Sequence, residues 1–293
     1  MKMKYPELVA IKNISVRKVN GFMSSSFSDI LSVEEPLEIR ISYGPETERL
    51  QKNISVTMRT PGNDLELATG FLFTEGIISS YDNVKDLYHA GMECSSQKQN
   101  IVQVELTEGI IPRLMQSDRN FYTTSSCGVC GKSSIQSIRT VSPFRDLEKV
   151  PQTVTTDTLY QLPGKLKEAQ NGFAATGGIH ASGLFTIEGD LVILREDVGR
   201  HNALDKLIGS ALTDHLLPLN HHILLLSGRA SFELIQKAAM AGIFIVAAIG
   251  APSSLAVELA MEFDMTLLGF LKENRFNIYH ESEFYKIVKP RMH

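Results

Sequence analysis

The chain has 293 residues, room for about two domains at the usual ~150 residues each. With 43% hydrophobic and 21% charged residues, it has the composition of an ordinary globular protein. A net charge of −4 supplies no basic field for duplex DNA or RNA, so nucleic acid is not an expected partner, while a local basic pocket for a small anion stays compatible with it.

The opening stretch MKMKYPELVAIKNISVRKVNG has no unbroken apolar core and does not read as a secretory signal. EPLEIRISYG and NISVTMRT alternate apolar and polar residues, as half-buried strands do. PGNDLELATGFLFTEGII reads as a helix with Leu65, Ala68 and Leu72 as its stripe, Asn63 or Asp64 as its cap and Gly76 at its end. VKDLYHAG and NIVQVELTEG return to the strand pattern. Residues 1–110 therefore form a small α+β module, mostly antiparallel sheet.

Periodicity is lost from Ile111 onward. Residues 111–134, rich in Pro, Ser, Thr, Asn and Gly, read as a loop, and they carry TTSSCGVCGKSS with Cys127 and Cys130. The remaining cysteine is Cys94. Three cysteines spaced this way do not make a secreted disulfide framework, and the expected location is the cytoplasm, where thiols stay reduced.

Residues 135–293 follow a different plan. TGGIHASGLFTIEGDLVILRED is a hairpin turning at Glu188-Gly189-Asp190. VGRHNALDKLIGSAL is a helix with Asp197 as the expected N-cap. HHILLLSG, IFIVAAIG and MTLLGFL are strands separated by the helices SFELIQKAAMAG and PSSLAVELAMEF, which argues for a parallel sheet. The longest apolar run, Ala238–Ala251, is shorter than the ~20 residues that span a membrane, and no membrane partner is expected. The fold class is α/β (α+β overall), the sheet domain preceded by the smaller module.

Ligands of open parallel sheets bind beyond the carboxyl ends of the strands. Three segments fall there: Ser227–Ser231 (SGRAS), Gly250–Ser254 (GAPSS) and the loop Phe270–Arg275 (FLKENR). Arg229, Lys272 and Arg275 are suited to phosphate charge. Each segment also has a plain structural reading, with Ser231 and Ser253 as helix caps and Pro252 as a helix start. No Walker or GxGxxG signature is present to name a nucleotide.

The thiol pair has several readings. Structural zinc takes four ligands, and a second pair is absent, so histidines such as His180, His201, His221 or His222 would have to join. Deaminase chemistry places a catalytic Glu two residues after a histidine, and Ser182 stands there instead, with the CxxC on the wrong side of the histidine. A thioredoxin-like site needs the pair at a helix N-terminus after a strand, which Gly128 and Gly131 disfavour. Sulfur carriage fits an exposed thiolate on a flexible loop: Cys127 takes sulfur as a persulfide, Lys132 favours the thiolate, and Cys130 assists delivery or releases the sulfur by forming a disulfide. Two idle cysteines are the plain alternative.

SSCGVCGK, TGGIHASGLF, REDVGRHNALDKLIG, LLLSGRASFELIQKAAMAGI, GAPSSLAVELA and TLLGFLKENRFNIY, in this order, resemble the motifs of the formate dehydrogenase accessory sulfurtransferase family (FdhD/NarQ). MRTPGNDLELATGFLFTEGII resembles that family's N-terminal module. The resemblance implies a cytidine-deaminase-like fold for the larger domain and a homodimer. It implies a carrier that takes sulfur from a cysteine desulfurase and passes it to the molybdenum cofactor before insertion into the formate dehydrogenase catalytic subunit. Cys127 would bear the persulfide, with Cys130 as its partner. The family's cofactor-binding stretch falls on Phe270, Leu271, Lys272, Glu273, Asn274 and Arg275, beside Arg229 and Ser231. Its ligand would be molybdenum bis(molybdopterin guanine dinucleotide), with GDP as a surrogate. The alternative is a non-catalytic chaperone for cofactor or apo-enzyme, its CxxC holding zinc or idle. His180, Asp197 and His201 lie within the resembling motifs with structural readings of their own.

Overall fold

A computed structural model describes residues 10–91, 100–114, 143–144 and 147–289. Cys94, Cys127 and Cys130, with most of the expected 111–134 loop, lie outside the described residues.

The described residues open with a hairpin not expected from the sequence: β1 (Ile11–Asn20) and β2 (Met23–Ser32) pair antiparallel around Gly21, whose φ of +61° suits a residue without a Cβ. β3 (Glu35–Tyr43) and β4 (Leu50–Arg59) follow, then helix α1 (Asp64–Thr74), β5 (Val84–His89) and β6 (Ile101–Leu106). These four strands form a sheet in the order β4-β3-β6-β5, antiparallel except for the parallel β3–β6 pair. Alternation fixes its buried face: Leu37, Ile39 and Ile41 of β3 and Val102, Val104 and Leu106 of β6 are buried at every second position. They face a core shared with Leu67, Leu72 and Phe73 of α1.

Asn63 is the N-cap of α1 by position, in a left-handed conformation and without a side-chain cap bond. Asp64 is not a cap: its carboxylate accepts two hydrogen bonds from Arg59, both 3.0 Å, in a fully buried pair. Gly76, at φ +71°, follows the helix end as expected.

The second half adds β7 (Gln152–Thr155), α2 (Thr156–Ala169), α3 (Asn171–Thr176), β8 (His180–Thr186), β9 (Leu191–Asp197), α4 (Arg200–Thr213), β10 (His222–Leu226), α5 (Phe232–Met240), β11 (Ile245–Ala248), α6 (Ser254–Glu262), β12 (Thr266–Lys272), β13 (Arg275–His280) and β14 (Tyr285–Val288). β7 and β14 form a short parallel pair. The six-stranded sheet has the order β13-β12-β11-β10-β8-β9, parallel through β10, β11 and β12 and antiparallel at both flanks. The parallel strands are buried almost without interruption from Ile223 to Leu226, Ile245 to Ala248 and Thr266 to Gly269, as expected of strands covered on both faces. The fold is therefore the expected α/β arrangement. The Phe270–Arg275 segment, expected as a loop, is instead the end of β12, a two-residue turn at Glu273-Asn274 and the start of β13, with Lys272 opposite Arg275.

Candidate functional site

The topology brings five chain segments to one edge of the larger sheet. β10, β11 and β12 end there; β8 runs antiparallel to β10 and begins there at His180; β9 ends there at Asp197, the register partner of His180. Helices α4, α5 and α6 then start from that edge. Backbone hydrogen bonds join the loops: Ile249 N–H donates to Leu226 O (2.9 Å), Gly250 N–H to Gly228 O (2.9 Å), Ser253 N–H to Ala230 O (3.0 Å) and Phe270 N–H to Gly250 O (3.0 Å). The crossing is tight at Gly250, where a Cβ would stand 3.0 Å from both the Arg229 Cγ and the Gly228 carbonyl oxygen. Glycine is needed there for the close approach, not for an unusual torsion.

The residues expected from the sequence divide into two groups along this edge. At the β12–β13 end, Phe270 sits at φ +54°, left-handed for a bulky side chain, beside a register irregularity between Gly269 and Lys272. The residue is 42% exposed. Lys272, Glu273, Asn274 and Arg275 are exposed at the hairpin tip. Leu271 is fully buried, so its side chain belongs to the core and only its backbone lies near the edge.

At the other end, the first turns of α4 and α5 meet. Ser231 is the N-cap of α5 by position, but its hydroxyl makes no cap bond and instead lies 3.2 Å from the Nε2 of His201. Ser253 does act as the cap expected for α6, its hydroxyl accepting from the Ala256 N–H at 3.2 Å. Pro252 lies before that cap, bridged to Ala230, and is not the helix start. His201 Nε2 also lies 2.9 Å from Glu233, a partner not expected from the sequence. That hydrogen bond holds the Glu233 carboxyl below its ordinary range. His180 is shifted down by burial first and by the neighbouring charges of Arg200 and His201 second, so it is neutral at neutral pH. Arg229 is exposed and forms no ion pair among the described residues.

Asp197 is not the N-cap of α4; Gly199 is. The Asp197 carboxylate is fully buried and has four partners. One oxygen accepts from the Gly199 N–H (2.8 Å) and the Asn202 amide (3.1 Å). The other accepts from the Thr60 N–H (3.0 Å) and meets the Lys206 ammonium at 2.7 Å. The Val198 N–H in turn donates to the Thr60 hydroxyl at 3.0 Å. The end of β4 thereby fixes the turn that presents Arg200 and His201. Among the described residues no three His, Cys, Asp or Glu side chains gather as a metal site, and no helix is long and apolar enough to cross a membrane.

The sequence model of the FdhD/NarQ family matches residues 32–285, which hold the whole of this edge. The chain belongs to that family. It is 50% identical over 257 residues to the sulfur carrier protein FdhD of Mycolicibacterium paratuberculosis, covering 87% of this chain and 91% of that one. It is 48% identical to the protein of the same name from Streptomyces avermitilis, covering 87% and 88%, and 40% identical to that of Sulfurisphaera tokodaii, covering 93% and 98%. A solved structure of a protein assigned as a formate dehydrogenase accessory protein, from Desulfotalea psychrophila, superposes with a TM-score of 0.70 at 20% identity, covering 94% of this chain and all of that one. At that identity it supports the fold of this FdhD/NarQ chain alone. The β1–β2 hairpin lies almost wholly before residue 32, whereas the edge and both its groups fall inside the residues that the family model matches.

Proposed function

We propose that this FdhD/NarQ chain is a sulfur carrier for formate dehydrogenase maturation, receiving sulfur from a cysteine desulfurase and handing it to a molybdenum cofactor docked at the sheet edge. The observation that carries the reading is 40–50% identity, over most of their length, to proteins named as sulfur carriers, in a chain with a CxxC. In the first step the Cys127 thiolate attacks the outer sulfur of the desulfurase persulfide. A new S–S bond forms on Cys127, and the desulfurase cysteine leaves as a thiolate. In the second, the Cys130 thiolate attacks the Cys127 Sγ, closing a disulfide and expelling the sulfur as hydrosulfide for the metal. A cellular thiol reductant then resets the pair.

The cofactor, as substrate, would be the bis(molybdopterin guanine dinucleotide) form. Its support is chemical: an exposed aromatic ring and the cations Lys272 and Arg275 at one end of the edge, with Arg229 further along, suit a base and its phosphates. A homodimer and direct contact with the formate dehydrogenase catalytic subunit belong to the same reading.

The test is intact-mass analysis after incubation with a desulfurase and cysteine, with and without reductant. The expected result is a reductant-labile gain of one sulfur on Cys127, absent in Cys127→Ala. A full adduct in that variant overturns the assignment. Stoichiometric zinc on the pair would favour a cofactor-holding chaperone instead.

A further inference from the structure

The β1–β2 hairpin buries too little within its own chain to hold its shape alone. It is a two-stranded sheet, paired without a register break from Ile11 opposite Ser32 to Asn20 opposite Met23, and none of the residues described in either strand is buried. Where it meets the body of the chain, β2 lies against α3. Its outer half stands clear: Val19 is 62% exposed, Met23 77% and the turn residue Phe22 entirely. A lone two-stranded ribbon is marginally stable in water at best and needs a further layer to pack on.

Residues opposite one another in the ladder share a face, so the register sorts the side chains. Ile14, Val16, Met23, Phe27 and Leu31 fall on one face, together with Lys12 and Lys18. Ser15, Ser24, Ser26 and Ser28 fall on the other. The apolar side chains thus form a stripe along one face, and its members Met23, Phe27 and Leu31 are each 42% exposed or more. An apolar stripe left open and rimmed by charge marks a surface that another protein covers.

Charge points to that protein. The hairpin carries Lys12, Arg17 and Lys18 against Asp29, a net of +2 in a chain whose total is −4, which leaves −6 for the rest. A basic, apolar ribbon is complementary to an acidic body, and a second copy of this chain presents such a body. The area agrees. Ten residues per strand make a face of ~34 Å by ~10 Å, or about 340 Å². In a twofold pair each copy gives one such face and receives another, so roughly 700 Å² per copy is covered, close to the ~800 Å² of a standard stable interface.

We infer that the β1–β2 hairpin is an arm whose apolar, basic face lies on the body of a second copy, each member of a twofold pair embracing the other. That the chain forms a pair belongs to the function proposed above; that the arm makes the pair is drawn from the hairpin itself.

The test is sedimentation velocity of the full chain over a concentration series. Wild type is expected to dimerise. Met23→Ser combined with Phe27→Ser is expected to raise the dimer dissociation constant at least tenfold, and Ser26→Gln, on the opposite face, to leave it within twofold. Lys12→Glu combined with Lys18→Glu should also weaken the dimer, because the receiving surface is acidic. Circular dichroism melting checks that each variant stays folded, as exposed positions allow. A wild type that remains monomeric overturns the arm and the pairing together. A dimer indifferent to Met23→Ser with Phe27→Ser overturns the arm and leaves the pairing standing. Tightening by the two glutamates overturns docking on the body, since two basic arms packed on each other would gain by that change. Persulfide loading of Cys127, measured on the same samples, reports the sulfur-carrier reading independently, so the two can fail separately.

Discussion

Gly70 of α1 and Gly209 of α4 each face the other helix's backbone. A Cβ on Gly70 would lie 1.9 Å from the Asp205 carbonyl oxygen, and one on Gly209 would lie 1.9 Å from that of Glu66. The two helices therefore cross in backbone contact, and this crossing joins the first module to the sheet domain. Glycine in a helix interior costs about 1 kcal/mol of helix propensity relative to alanine, so both positions are accepted for closeness alone.

Gly70→Ala and Gly209→Ala should therefore destabilise despite their better helix propensity. Neither obstacle is a flexible side chain, so the helices must separate, and overpacking of this kind costs about 1–3 kcal/mol or somewhat more. Urea midpoints of the two variants measure it. An unchanged midpoint for either would mean that the helices do not approach this closely in solution.

Lys237 of α5 lies buried where α1, α4 and α5 meet. Its ammonium reaches both Asp205 oxygens (2.9 and 3.0 Å), the Thr74 hydroxyl (2.9 Å) and Glu75 (3.3 Å). Burial pulls the Asp205 carboxyl upward and opposes the charge on Lys237, but the two carboxylates prevail at the lysine and hold its pKa above the ordinary value. Lys237→Met should cost about 3–5 kcal/mol by stranding Asp205, whereas Lys237→Met with Asp205→Leu should recover much of the loss. Equal instability of the single and double variants would refute the pairing. A lysine raised on folding contributes fully below its unfolded pKa, and the contribution is lost as pH climbs through the folded value. Wild-type stability should thus fall on going alkaline beyond about pH 10.4 more steeply than that of the double variant.

The strand–helix alternation from His222 to Lys272 was legible because buried parallel strands are continuous apolar runs, and nothing else in the chain looks like them. β13 was hidden because it is an edge strand with mixed exposure, and its turn residues Glu273-Asn274 read as loop. The α2 helix was hidden by Pro163 and Gly164 in its interior, which its packing tolerates. β1 and β2 were obscured by a serine-rich second strand that buries almost nothing. At the site, loop positions were readable from topology, whereas the pairing of Glu233 with His201 was not. It arises from a meeting of two helix starts about thirty residues apart, which no local pattern records. Asp197 shows the same limit: its cap-like position was visible, its bond to Thr60 was not.

That Asp197–Thr60 contact makes the edge depend on the first module. Thr60→Val removes the acceptor of the Val198 N–H, and a typical hydrogen bond of this kind contributes about 1 kcal/mol. Asp197→Ala leaves Lys206 buried with no carboxylate, and the expected loss is about 3–5 kcal/mol. Chemical denaturation of both variants should show this ordering. Thr60→Val as damaging as Asp197→Ala would mean that the hydroxyl, not the ion pair, anchors the turn.

His180 supplies a pH signature at the edge. Burial and the adjoining Arg200 lower its pKa on folding, so the folded chain takes up its proton less readily than the unfolded chain. Its contribution is accordingly complete above the unfolded value near 6.5 and is lost as pH falls through the lower folded value. Replacing it with a residue that cannot titrate should flatten that part of the profile. Between pH 7.5 and 5, His180→Asn should lose less stability than wild type, compared as the difference in urea midpoint at each pH. A parallel decline of the two proteins would mean that the imidazole is as free to take a proton in the fold as in the unfolded chain, and the packing of Gly228 against it would then be looser than described.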